Sequence, residues 1–75
     1  MLCVFIHCTS VAWAMKIWRL IELNGYHVMS PPWGFRQDGI LEISKDEYAE
    51  LIRDPKINYI LESKVAVKQI VIEEW

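Results

Sequence analysis

ISKDEYAELIRDP, residues 43–55, is the best-punctuated stretch of this 75-residue chain. Ser44 and Glu47 stand at the two positions of a capping box, in which the Ser hydroxyl accepts from the third helical N–H and the Glu reaches back. Ile43 and Tyr48 occupy the positions of a hydrophobic staple. Asp46 and Glu47 in the first turn suit the positive end of the helix dipole, and Arg53 suits the last turn. Tyr48, Leu51 and Ile52 make an apolar stripe at helical spacing. Pro55 disfavours helical geometry at Asp54 and stops the element. A helix over 45–54 follows, and most of its charges are helix punctuation.

Toward the C-terminus, INYILE (57–62) alternates Ile57, Tyr59 and Leu61 with Asn58, Ile60 and Glu62, and VAVKQIVI (65–72) is rich in β-branched residues. Both read as strands, with Ser63-Lys64 as the connection or as a bend within one strand. Toward the N-terminus, residues 40–43 read as a strand preceded by the turn signal Asp38-Gly39. In PPWGFRQDGI (31–40), Gly34 frees the backbone, so Trp33, Phe35 and Arg36 are presented on a knuckle. YHVMS (26–30) is a short strand that Pro31-Pro32 halts by removing two backbone donors. Ser10 as N-cap and Asn24-Gly25 as C-cap frame a helix over 11–23. Its polar stripe is Lys16, Arg19 and Glu22, with Trp13, Ile17, Trp18, Leu20, Ile21 and Leu23 on a broad apolar face. Asn24-Gly25 also fits a type I′ hairpin turn joining 17–23 to 26–29, but Ala12, Ala14, Met15 and Leu20 favour the helix.

The predicted fold is a single small α+β domain. Its sheet comprises 26–30, 40–43, 57–62 and 65–72, with the 45–54 helix packed across it through Tyr48, Leu51 and Ile52. Residues 1–25 form an N-terminal extension carrying the 11–23 helix, and 26–75 form the α/β unit. A chain this short buries only roughly 60% of the surface its unfolded form exposes. Hydrophobic residues make up 53% of the chain, and four Trp, three Tyr and two Phe supply large buried areas.

The opening MLCVFIHC holds both cysteines. Cys3 and Cys8 read as small buried hydrophobes. As a strand, this run puts Cys3 and His7 on one face and Cys8 on the other, which argues against joint metal ligation. No zinc-motif spacing is present and no cofactor is implied. The longer stretch MLCVFIHCTSVAWA (1–14) ends in Ala12-Trp13-Ala14, with the look of a cleavage site, yet no Lys or Arg precedes its apolar part and it is short for an export signal. Lys16, Arg19 and Glu22 interrupt it before a membrane span accumulates. Met15 is an alternative start.

Gly34-Phe35-Arg36-Gln37-Asp38-Gly39 followed by ISKDEYAELIRDPKI resembles the small N-terminal domain of the Mu-like prophage FluMu proteins, over Tyr26–Glu62. The resemblance implies a strand, a knuckle, a helix ending in Leu-x-x-Asp-Pro and a final strand. It also implies a phage or prophage setting, in a bacterial cytoplasm or on a virion, and a non-enzymatic accessory role.

No nucleophile with a base, paired carboxylates or ligand set can be assembled. His27 and His7 read as structural, and Asp46, Glu47, Glu50 and Asp54 as one solvated face. The two functional expectations are therefore both binding roles. The first is protein contact or self-association, through Trp75 as an anchor and VAVKQIVI as an edge for strand addition. The second is RNA or DNA binding by Trp33, Phe35 and Arg36. The formal net charge of -2 and pI near 5.6 oppose the second, and give no pull toward anionic membranes.

Overall fold

The computed structural model describes residues 2–29 and 39–74. Leu2–Cys8 (β1) is the middle strand of a three-stranded antiparallel sheet, flanked by Ile40–Ser44 (β2) and Val67–Glu74 (β3). Val4 lies opposite Ile43 on one side and Ile72 on the other; Phe5 lies between Glu42 and Val71. A strand paired on both edges and covered on both faces should be apolar throughout. β1 meets that condition, since Cys3 to Ile6 and Cys8 are all buried.

Among the described residues three helices complete the α+β fold: Val11–Leu23 (α1), Lys45–Leu51 (α2) and Pro55–Glu62 (α3). They pack on the sheet face that carries Val4, Ile6, Cys8, Leu41 and Ile43, contributing Ala14, Ile17, Ile21, Leu51, Ile57 and Leu61. The alternate positions of β1 and β2 build a second, smaller cluster of Cys3, Phe5 and Ile40, against which Val71 packs. Burying a side chain such as Ile6 or Leu41 contributes about 1.5–3 kcal/mol, so the larger cluster dominates the stability.

The expected caps are in place. The Ser10 hydroxyl accepts from Trp13 N–H at 3.1 Å, and the chain leaves α1 through Gly25 at φ +85°. The Ser44 hydroxyl accepts from Glu47 N–H at 3.3 Å. The reciprocal half of the box is diverted, because the Glu47 carboxylate is engaged by His27, as described below. The stripe expected on α2 is buried in part: Leu51 is inaccessible, Tyr48 is half-buried and Ile52 is exposed.

Five expectations are corrected: the strands at 57–62 and 26–30, the end of the 45–54 helix, the boundary near residue 25 and the start of the last strand. Residues 57–62 are not a strand but the body of α3. α2 ends at Leu51, short of the expected residue 54, and after the turn 52–54 Pro55 opens α3 at its first helical position, where its missing N–H costs nothing. Asp54 is the cap between them, accepting from Lys56 N–H at 2.9 Å. The buried residues are Ile57 and Leu61, four apart, as a helix requires.

Residues 26–30 also fail to form a strand over the described part, 26–29. Their four N–H groups go to four separate acceptors: Tyr26 to Ile21 O, His27 to Glu47 Oε2, Val28 to Glu22 Oε2 and Met29 to Glu42 O. Only the last, at 2.8 Å, reaches a strand backbone.

The boundary expected near residue 25 does not divide the sheet. Its central strand comes from 2–8, so residues 2–25 are built into the fold. The last strand begins at Val67 rather than at residue 65. Thr9 N–H donates to Ala66 O at 2.9 Å, and its hydroxyl to Val65 O at 2.6 Å, tying the end of β1 to the turn before β3.

Candidate interaction surfaces

Trp33, Phe35, Arg36 and Trp75, the residues singled out for binding, lie outside the described residues. Of the two histidines, His7 sits half-buried on β1 opposite Ile40 and Gln69, on the face shared with Cys3. Cys8 is on the other face, as the strand alternation requires. His27 is at the surface, with Nδ1 at 4.0 Å from the Glu22 carboxylate. Among the described residues no group of three His, Cys, Asp or Glu side chains could hold a metal ion. Burial pushes the Cys8 thiol up to about 11, which leaves almost no thiolate at neutral pH and makes it a packing residue.

The acidic helix is not one solvated face. Glu47 holds His27 N–H, Asp54 caps α3, and Asp46 and Glu50 are exposed. Tyr48 is held above its usual range, first by burial and then by the charge of Glu62. Among the described residues no helix is long and apolar enough to cross a membrane.

Two surfaces stand out. The first is the outer face of α1. Ala14, Ile17 and Ile21 fix the inward side, and the 3.6-residue period then turns Val11, Met15 and Leu23 outward. Met15 is 41% exposed and Leu23 78%. Met15, Lys16, Arg19, Leu20 and Leu23 line a shallow open groove of about 280 Å³. Among the described residues neither cation forms an ion pair within 4.0 Å, and Lys16 Nζ rests 4.9 Å from the centre of the Trp13 ring. The sequence signal for this groove was the excess of apolar residues on α1 over what one sheet can cover. Met15 was missed because Met also suits a buried helix face. Glu22, read with Lys16 and Arg19 as one solvated stripe, instead turns to Val28 N–H at 2.9 Å.

The second surface is β3. It pairs with β1 on one side only, and among the described residues nothing pairs with its outer edge. Ile70 and Ile72 lie on the helix-facing side, yet Ile70 is half-buried and Ile72 52% exposed, because α1 and α2 pack over β1 and β2 and α3 alone among the helices packs mainly against β3. Lys68, Gln69, Glu73 and Glu74 are exposed along the same strand.

Compared with models of known families, with characterised proteins and with solved structures, the chain matches none.

Proposed function

We propose that this chain is a small non-enzymatic accessory protein that acts through protein–protein contacts, with the outer face of α1 as its docking surface. The observation that carries this reading is the groove of Met15, Leu20 and Leu23 flanked by Lys16 and Arg19. An apolar row with neighbouring cations and no acidic residue in its lining is complementary to an amphipathic segment bearing acidic flanks. Long basic side chains add apolar stems to such a groove while keeping their charge in water. The phage or prophage setting rests solely on the resemblance over residues 26–62, whose expected final strand is α3 here.

Titration of isotope-labelled protein with a synthetic helical peptide, leucines at i and i+4 and glutamates beside them, tests the reading. Amide shifts should concentrate on residues 11–23. A single-stranded RNA oligonucleotide serves as the second arm. Shifts produced by the RNA and not by the peptide, and lost as salt is raised, would support the nucleic-acid alternative instead.

A further inference from the structure

Beyond the α1 surface, we propose that β3 is a self-recognition edge, on which a second copy of this chain adds its own β3 in antiparallel register about Val71. The strand VKQIVIEE is the observation. Nothing among the described residues pairs with the outer edge of this eight-residue strand, which offers a row of backbone donors and acceptors, and such edges are normally blunted by charge, bulges or covering elements. Here the register shift between His7 and Cys8 makes Lys68, a charge, the extra residue at the start of β3, and the strand runs regularly from Gln69 to Glu74.

Antiparallel pairing centred on Val71 sets Lys68 opposite Glu74, Gln69 opposite Glu73 and Ile70 opposite Ile72, each pair occurring twice by symmetry. Directly opposed side chains are the unit of sheet stabilisation, and these pairs are complementary in charge, hydrogen bonding and shape. The half-covered Ile70 and exposed Ile72 of the two copies would form one continuous apolar row of four isoleucines. Shifting the centre to Ile70 sets Lys68 against Ile72, and shifting it to Ile72 sets Ile70 against Glu74. Parallel pairing in register sets Lys68 against Lys68 and Glu74 against Glu74. One arrangement therefore satisfies the strand, and it joins two three-stranded sheets into one of six strands.

Pairing through a single strand on each side buries less than the roughly 1,200 Å² of a standard stable interface, so the dimer is reversible. Sedimentation equilibrium of the full chain from about 10 μM to about 1 mM covers the affinities such contacts reach. The wild type should dimerise within that range. Lys68→Glu and Glu74→Lys should each weaken it about ten-fold, by replacing two attractive pairs with two repulsive ones. The double variant K68E/E74K should restore it. Both positions are exposed, and unchanged circular dichroism of each variant confirms that the fold is kept. A wild-type monomer throughout the range overturns the proposal. So does a dimer that tolerates the single substitutions, or one that the double variant fails to rescue.

Discussion

The backbone N–H of His27 donates to the Glu47 carboxylate across 2.7 Å, joining the segment after α1 to the first turn of α2. With Glu22 holding the next N–H, two carboxylates do the work that a neighbouring strand would do in a sheet. Replacing Glu47 by Ala should therefore cost more than trimming a solvated helix residue. The expected loss is about 1–2 kcal/mol in chemical denaturation, since charge-assisted hydrogen bonds exceed neutral ones. Hydrogen exchange at His27 should quicken while exchange in β1 tracks only the global loss. Equal stability of wild type and Glu47→Ala would show that this bond is not holding the segment.

Gly25 and Gly39, both at φ +85°, differ in their surroundings. A Cβ at Gly25 would meet open space, whereas at Gly39 it would lie 3.2 Å from the carbonyl oxygen of Ser10, the N-cap of α1. Gly25→Ala should cost about 1 kcal/mol, the conformational penalty alone. Gly39→Ala should cost more, because β2 or the start of α1 must also shift. Thermal denaturation of the pair measures the difference directly, and equal losses would contradict the close approach.

Removal of residues 1–14, leaving a chain that begins at Met15, takes away the middle strand to which both other strands bond. That version should lack a cooperative unfolding transition. Within β1, Ile6→Ala should cost about 2–5 kcal/mol by the cavity it opens, against less than about 1 kcal/mol for Ile72→Ala in monomer at low concentration. A cooperative transition in the truncated chain would refute the central placement of β1.

Alkaline pH should weaken the fold through Cys8. The buried thiol holds its proton up to about 11 against 9.0 when unfolded, so the native state binds the extra proton between those values. Stability contributed by this group is fully present below pH 9 and is lost as pH rises toward 11. The upper limit of the loss is roughly 2–3 kcal/mol, with solvent screening holding the measured value below it. Tyr48, also raised, acts in the same direction. Cys8→Ala should start less stable but show a shallower decline between pH 9 and 11; an unchanged slope would contradict the assignment.

Local punctuation made α1 and α2 legible, because Ser10, Asn24-Gly25 and Ser44 act through bonds within a few residues of themselves. The same kind of signal was present for α3. Asp54-Pro55 is both a stop and a start, and the alternation of INYILE concealed that only Ile57 and Leu61, four apart, needed burial. Residues 26–29 failed as a strand for a different reason: their partners are the carboxylates of Glu22 and Glu47, which no local pattern couples to them. The role of β1 was masked by its own composition. A strand buried on both faces loses the alternation that would announce it, and LCVFIHC reads as readily as the start of a targeting segment. Of the interaction surface, the excess of apolar residues on α1 was visible, but which of them face outward depends on how the sheet meets Ile17 and Ile21. The residues that the sequence marks for binding, Trp33, Phe35, Arg36 and Trp75, lie outside the described residues.

The most direct measurement of the protein-contact account is a comparison of peptide affinities by calorimetry. Wild-type chain and the double variant Lys16→Glu/Arg19→Glu are each titrated with the acidic amphipathic peptide and with its charge-inverted, lysine-bearing counterpart. The account predicts that the wild type prefers the acidic peptide and that the variant reverses the preference, by about ten-fold in each direction, since rim charges set partner choice. Wild-type chain that binds neither peptide, or a variant that keeps the wild-type preference, would contradict the assignment of the α1 face as the docking surface.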